Sequence, residues 1–244
     1  MVLVADVGNS FVTLGLFAGS RLVRRTGVPT AGLAAAAVRE ACPEPWRALC
    51  VASVVPAALA PLEEAAGYAG ARFTVVDGTS PLGMPVRVRS PAALGPDRLV
   101  NCVGLAQRRA PPFIVVDLGT ATTLDCVDAD GAFVGGAIAP GLVTAGRALW
   151  TGTARLPEVP VAAPPGAIGD DTITAMQSGI WLGHAALVDG LVARMVAELG
   201  GRPWVVATGG LAQALAPSLS RVDEVDPDLT LTGLCACHRI LGGA

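Results

Sequence analysis

The stretch that decides the fold is Val2-Leu-Val-Ala-Asp6-Val-Gly8-Asn9-Ser10, which Phe113-Ile-Val-Val-Asp117-Leu-Gly119-Thr120 repeats. Each is an apolar run that ends in Asp-x-Gly and a small polar residue, and 111 residues separate the two aspartates as well as the two glycines. A short apolar run of this kind is typical of a buried strand, and a glycine directly after it lets the backbone approach a ligand closely. Two such loops at one spacing indicate a duplicated domain that holds nucleotide phosphates between its halves.

Composition narrows the class of protein. With 244 residues, 52% hydrophobic and 15% charged, the chain can bury a large core, either as one domain or as two. It has no uninterrupted apolar run of membrane-spanning length and no basic leader, so we expect a cytoplasmic protein without a membrane partner. The net charge of −3 and the lack of a basic block disfavour a nucleic-acid partner.

Reactive residue types are few. The chain contains no lysine, so all 17 basic residues are arginine, which excludes a P-loop lysine and a Schiff-base lysine. Phosphate chemistry must therefore use backbone N–H groups, arginine, carboxylates and a metal ion. The six cysteines fit buried, reduced thiols, and Cys235-Ala-Cys237-His238 lacks a second ligand pair at zinc-site spacing. We interpret His184 as a core or interface histidine rather than a catalyst.

Hydrophobic periodicity predicts a similar series of elements in each half. Strands are expected at 2–5, 11–17, 21–25, 47–55, 73–76, 113–116, 122–127, 133–138 and 204–207. Helices are expected at 31–41, from the end of the 47–55 strand through residue 68, and at 97–108, 142–150, 172–199 and 230–241. Strand-strand-strand-helix units in duplicate favour an α/β fold with mixed sheets. A Rossmann fold is disfavoured, since no Gly-x-Gly-x-x-Gly follows a strand.

Two glycine-rich loops are candidates for nucleotide binding. The turn after Asp6 can offer N–H groups to phosphate, with Asp6 as a ligand of Mg²⁺ or of its water. A hairpin turn with a capping aspartate is the alternative, which the repeat at Asp117 weakens. Thr208-Gly209-Gly210 follows a strand and would let a flat adenosine lie on the backbone; an ordinary strand-to-helix turn is its alternative.

Gly95-Pro96-Asp97-Arg98 stands at the start of a predicted helix. Helix N-terminal N–H groups favour an anion there, and Arg98 can hold a carboxylate or phosphate. Asp97 can accept the proton of an attacking hydroxyl, as the catalytic aspartate does in kinases. The alternative is a helix-start aspartate beside a surface charge.

The motifs in this order resemble type III pantothenate kinases, with agreement across nearly the whole chain. The family's pattern is an N-terminal Asp-x-Gly-Asn-Ser/Thr, a central Gly-x-Asp-Arg, a second Asp-x-Gly-Thr-Ala-x-Thr and a late Thr-Gly-Gly. The resemblance implies the acetate and sugar kinase, Hsp70 and actin superfamily: two ribonuclease-H-like (actin-like ATPase) halves, here 1–110 and 111–244, with the site in the cleft. It also implies ATP-dependent phosphorylation of pantothenate to 4'-phosphopantothenate, the first step toward coenzyme A.

The resemblance, with the motif arguments above, implies roles for individual residues. Those expected to bind ATP are Asp6, Val7, Gly8, Asn9, Ser10, Phe11, Val12, Thr13, Thr120, Gly209 and Gly210. Those expected at the pantothenate site are Val88, Gly95, Pro96, Asp97, Arg98 and Thr172. Asp97 would be the proton acceptor, and Thr172 would come from the partner subunit of a homodimer. Asp117 would bind a monovalent cation, K⁺ or NH₄⁺, and Asp6 would bind Mg²⁺.

Three positions depart from the family's pattern. Val88 stands where a tyrosine is common, Pro96 replaces a small residue, and Asp171 replaces an asparagine beside Thr172. Two rival functions stay open. One is a kinase of the same superfamily that acts on another hydroxy or carboxylate substrate. The other is a non-catalytic nucleotide-binding regulator, although the three key aspartates are all present.

Overall fold

The structure, a computed structural model, describes residues 1–242 and contains two compact units. Unit 1 comprises Met1–Arg109 and Asp228–Ala244, and unit 2 comprises Ala110–Pro227. The sequence predicted halves at 1–110 and 111–244. The two divisions differ at the carboxyl end, where the last helix joins unit 1 because it packs on elements of that unit.

Strands and helices follow one another in the predicted order. The strands are β1 (Val2–Val7), β2 (Phe11–Ala18), β3 (Arg21–Pro29), β4 (Ala48–Ser53), β5 (Arg72–Val76), β6 (Phe113–Leu118), β7 (Ala121–Val127), β8 (Phe133–Pro140), β9 (Trp204–Thr208) and β10 (Glu224–Val225). The helices are α1 (Ala35–Ala41), α2 (Leu59–Ala69), α3 (Pro96–Ala106), α4 (Leu142–Thr151), α5 (Thr172–Leu199), α6 (Ala212–Leu215) and α7 (Leu229–Ile240). The short elements α6 and β10 were not predicted.

Each unit contains one five-stranded mixed sheet, and the two sheets have the same plan. The order is β3-β2-β1-β4-β5 in unit 1 and β8-β7-β6-β9-β10 in unit 2. In both, the first three strands are antiparallel neighbours, and the last two run parallel to the first. The central strands are apolar and almost wholly buried, as expected for strands covered on both faces. The predicted duplicated α/β fold is confirmed.

Helices cover the faces of these sheets. In unit 1, α1 and α2 close one apolar core, while α7 packs on α3, β1 and β4. In unit 2, α4 and α5 close the other core. All six cysteines are buried thiols, and none forms a disulfide within residues 1–242, as predicted.

Helix α5 is the one helix within residues 1–242 that is long and apolar enough to cross a membrane, judged by length and composition alone. The sequence prediction found no such span, because glycines and polar residues interrupt the apolar run. One face of α5 buries Ile180, Trp181 and Val188 in the core of unit 2 and also buries Ser178 and His184. Of the most apolar 18-residue stretch of α5, 33% is buried.

The contact between α3 and α7 depends on two glycines. A Cβ on Gly233 would lie 2.3 Å from the carbonyl oxygen of Val100, and one on Gly104 would lie 2.7 Å from the Cα of Gly233. We expect Gly233→Ala to lower the free energy of unfolding by about 1–3 kcal/mol, the usual cost of overpacking. Urea denaturation measures this change.

The matched control is Gly67→Ala in α2, where a Cβ would meet nothing within 4 Å. That change should stabilise the helix by about 0.5–1 kcal/mol, because alanine loses less backbone entropy than glycine. Equal effects of the two substitutions would contradict the close approach of α3 and α7.

Candidate functional site

The first loop closes the β1–β2 hairpin of unit 1. Asp6 lies opposite Thr13 on the neighbouring strand, and the N–H of Gly8 donates to the carbonyl of Phe11 at 3.0 Å. Thr30 Oγ1 donates to the carbonyl of Gly8 at 2.7 Å. These contacts fix the turn, while Asn9 and Ser10 beyond Gly8 stay exposed.

Not every side chain expected to bind ATP can reach a ligand. Val7 and Val12 pack in the core of unit 1, so only their backbone atoms could contact one. Phe11, by contrast, is 60% exposed at the tip of the hairpin. The sequence pattern identified the loop but did not distinguish its buried side chains from its exposed ones.

The second loop repeats this turn with one residue fewer. Asp117 lies opposite Thr123, and the N–H of Gly119 donates to the carbonyl of Ala121 at 3.1 Å. The aspartates are 111 positions apart, whereas their partners Thr13 and Thr123 are 110 apart. The two loops are therefore similar in plan but unequal in length.

The start of α4 holds the second loop in place. The N–H of Gly141 and Oγ1 of Thr144 both donate to the carbonyl of Thr120, at 3.1 and 2.7 Å. A Cβ on Gly141 would lie 2.2 Å from the carbonyl oxygen of Gly119, so only glycine fits there. Thr120 itself stays exposed.

Parallel pairing of β6 with β9 brings Asp117 to the late glycine motif. Asp117 lies opposite Thr208 in the register. A Cβ on Gly209 would lie 2.5 Å from Oδ1 of Asp117 and 2.7 Å from the N atom of Leu118, and the φ of Gly209 is +93°. The fold thus joins two motifs that are far apart in the sequence.

Oxygen atoms at this point suit a hard cation. Oγ1 of Thr208 is fully buried and has no hydrogen-bond partner within residues 1–242. Carboxylate and hydroxyl oxygens are ligands of alkali and alkaline-earth cations. Asp117 and Thr208 therefore fit such an ion. The described part of the chain has no group of three His, Cys, Asp or Glu side chains that could hold a metal. A cation at Asp117 or Asp6 would thus complete its shell with other oxygen atoms.

The Gly95–Arg98 segment forms the start of α3, as predicted. Gly95 is the N-cap, and Pro96 occupies the first helical position, where a missing N–H costs nothing. This explains how the chain tolerates Pro96. The N–H of Arg98 donates to the carbonyl of Gly95 at 3.2 Å.

Asp97 is the most unusual carboxyl group of this site. Its Oδ1 is buried and has no hydrogen-bond partner in the part of the chain that the structure describes. A Cβ on Gly95 would lie 2.6 Å from that oxygen, so the carboxylate folds back over the glycine. Burial raises the pKa of Asp97, and the N–H and charge of Arg98 offset part of the rise. A more basic carboxylate with a free oxygen suits a proton acceptor.

Thr172 is the exposed first residue of α5. The preceding Asp171 is the N-cap: its carboxylate accepts a hydrogen bond from the N–H of Thr174 at 2.7 Å, and this bond lowers the pKa of Asp171. A negative charge is favourable at a helix N-terminus. Asp171, which replaces the asparagine common in the family, therefore still caps the helix.

Val88 lies half-buried in the segment between β5 and α3.

Sequence analysis did not identify several residues that shape the loops. Thr30 and Thr144 gave no signal, because their role depends on carbonyl groups far away in the chain. Thr208 was part of a recognised motif, although only its two glycines were assigned a role. His184 is 5% exposed and hydrogen-bonds to Thr122, in agreement with the prediction of a core or interface histidine.

Comparison with known proteins gives a consistent result. The family model for type III pantothenate kinase matches residues 2–194. The type III pantothenate kinase of Thermomicrobium roseum is 41% identical over 99% of this chain and 100% of its own length. That of Geobacter sulfurreducens is 39% identical over 96% of each chain. The solved structure of ethanolamine utilization protein EutJ from Carboxydothermus hydrogenoformans aligns with a TM-score of 0.59 over 96% of this chain and 88% of its own, at 14% identity, which indicates a shared fold alone.

Proposed function

The chain belongs to the type III pantothenate kinase family, and from this we propose that it transfers the γ-phosphoryl group of ATP to the primary hydroxyl of pantothenate. A bond forms between that hydroxyl oxygen and phosphorus, the bond to the β–γ bridging oxygen breaks, and ADP leaves. The hydroxyl proton passes to Asp97. The observation that carries this proposal is the buried Oδ1 of Asp97, which has no hydrogen-bond partner within residues 1–242. The product is 4'-phosphopantothenate, the first intermediate toward coenzyme A.

We assign ATP binding to residues 6–13, Thr120, Gly209 and Gly210. The exposure of Asn9, Ser10 and Thr120 supports this assignment. So does the open space around Gly210, where a Cβ would meet nothing within 4 Å. Asp6 would hold a divalent metal such as Mg²⁺, directly or through water, and that ion neutralises phosphate charge when bound.

We assign a monovalent cation, K⁺ or NH₄⁺, to Asp117. The carboxylate of Asp117 and the hydroxyl of Thr208 would hold it, as the fit of their oxygen atoms suggests. The cation supplies a positive charge near the phosphates that many kinases obtain from lysine, a residue this chain lacks.

We assign the pantothenate site to Val88, Gly95, Pro96, Asp97, Arg98 and Thr172. Arg98 lies in the first turn of α3 and can pair with the substrate's carboxylate. Val88 offers an apolar surface where a tyrosine hydroxyl is common in the family. The loss of one such hydrogen bond would weaken binding by about 1 kcal/mol without removing a reacting group.

We propose a cytoplasmic homodimer in which Thr172 of each subunit closes over the pantothenate of the other. Unit 2 has a set of exposed apolar side chains, namely Ile138, Val143, Leu149, Ile168, Ile173 and Leu187. Gly179, Gly183 and Gly190 also leave open space along α5, where a second chain could approach closely. Exposed apolar side chains that form one continuous patch are typical of an interaction site. Sedimentation velocity tests this proposal, and a monomer at micromolar concentration would refute it.

A coupled assay of ADP release tests the proposed reaction. We expect turnover with pantothenate, none with a panel of sugars and other hydroxy acids, and a higher rate in K⁺ than in Na⁺. Turnover with a different acid or sugar would support the rival kinase, which the valine at position 88 leaves open. Binding of ATP without any turnover would support the regulator instead.

A further inference from the structure

A buried hydrogen bond connects α5 to the second loop. Oγ1 of Thr122 and Nε2 of His184 are 2.9 Å apart. Thr122 is fully buried and His184 is 5% exposed. Thr122 lies on β7, only two residues after the exposed Thr120. The residue that contacts the imidazole of His184 thus lies two positions along the chain from the proposed ATP site.

This hydrogen bond lies in a largely apolar layer, to which α5 also contributes the buried Ser178. The sheet contributes Ile114, Val116, Leu118, Leu124 and Cys126, and α5 contributes Met176, Ile180, Trp181, Ala185, Val188 and Val192. Burial of a hydroxyl and an imidazole costs free energy, which their mutual hydrogen bond offsets. An apolar pair of similar volume would be as stable or more stable here. Stability alone therefore does not account for the pair.

The location of the pair suggests another role. The contacts from α4 hold the carbonyl of Thr120 within the loop. The contact from His184 holds the first buried residue after the loop. A hydrogen bond has a defined length and direction, so this contact fixes where β7 leaves the loop in a way that apolar packing would not.

We propose that His184 is a positioning residue that acts through Thr122 to hold the loop of residues 119–121 in its ATP-binding conformation. The inference rests on the proposed function, which gives Thr120 its role. His184 lies outside the assigned binding residues and acts only through the hydroxyl of Thr122. Burial lowers the pKa of His184, so the imidazole is neutral at pH 7 and above and suits an apolar layer.

A double-mutant cycle separates positioning from stability. Thr122→Val and His184→Leu should each lower the melting temperature, because each leaves a buried polar partner unsatisfied. Each should also raise the KM for ATP, and the equilibrium Kd for an ATP analogue, by about tenfold, with kcat changed by less than about twofold, the signature of lost ground-state binding. The double variant should regain the wild-type melting temperature, since both polar groups are gone. Its KM for ATP should stay raised by the same factor as in each single variant.

Two further variants serve as rescue and control. Thr122→Ser keeps the hydroxyl and should keep the KM for ATP within about twofold of the wild type. Ser218→Ala removes another polar contact of α5, the bond that Nε1 of Trp181 donates to Ser218 at 2.9 Å. That control should leave the KM for ATP unchanged.

Two results would overturn the inference. One is a double variant whose KM for ATP returns to the wild-type value together with its melting temperature. The other is a pair of single variants that melt earlier but bind the ATP analogue normally. A wild-type protein that binds ATP and fails to phosphorylate pantothenate would refute the proposed function, while the Kd measurements would still decide the role of His184.

Discussion

Asp97→Asn should lower kcat for pantothenate by about 10²–10⁴-fold, the range that a positioned general base contributes. Asparagine has nearly the same shape as aspartate, so it fills the space over Gly95, but it accepts no proton from the hydroxyl. The Kd for ATP should stay within about twofold of the wild-type value, because the proposed phosphate contacts lie at other residues. Steady-state kinetics and calorimetric titration with ATP measure the two quantities.

The same substitution should leave the protein as stable as the wild type or more stable. Burial raises the pKa of Asp97 in the folded state. The carboxyl group of Asp97 therefore stabilises the folded state below its unfolded pKa of about 3.9. This contribution is lost as pH rises through the folded pKa. At neutral pH the buried charge destabilises the fold, and asparagine removes that charge. A thermal melt at pH 7 checks this sign.

The raised pKa also predicts the pH profile of the wild type. Asp97 must be ionised to accept a proton, so kcat should fall with decreasing pH along a limb whose midpoint lies above about 3.9. The control is Glu63→Gln, which changes an exposed carboxylate on α2. It should alter neither turnover nor the melting temperature. Turnover retained in Asp97→Asn would remove Asp97 from its proposed role.

Local features of the site could be predicted from the sequence. The two Asp-x-Gly loops each follow one apolar strand and precede another, so a hairpin is implied by neighbouring residues alone. The start of α3 was equally clear, since Asp97 in a first helical turn is a local signal. Such features depend on residues close together in the chain, where sequence patterns are most informative.

Features that depend on distant contacts could not be predicted. Helix α7 belongs to unit 1 because Gly233 fits against Val100, more than a hundred residues earlier. No periodicity within residues 230–241 identifies the partner of that helix. The meeting of Asp117 with Gly209 likewise depends on the pairing of β6 with β9, and the unpartnered hydroxyl of Thr208 depends on the same register.

Gly209→Ala should disrupt both the fold around Asp117 and the binding of ATP. The new methyl group would lie 2.5 Å from Oδ1 of Asp117 and 2.7 Å from the N atom of Leu118. A φ of +93° is also unfavourable for alanine, at a cost of about 1–3 kcal/mol. With roughly 2–4 °C for each kcal/mol in a protein of this size, the melting temperature should fall by about 5–10 °C. The Kd for ATP should rise in parallel, because the carboxylate and the loop must both move.

Gly210→Ala is the matched control, since it makes the same change at the next residue. A Cβ there would meet nothing within 4 Å, and Gly210 is not among the glycines with positive φ. Its melting temperature should stay within about 2 °C of the wild type, as for a surface substitution. If adenosine lies on this backbone, the added methyl group still weakens ATP binding. Equal melting temperatures for the two variants would contradict the close contact of Gly209 with Asp117. An unchanged Kd for ATP in Gly210→Ala would contradict the assignment of adenosine to this motif.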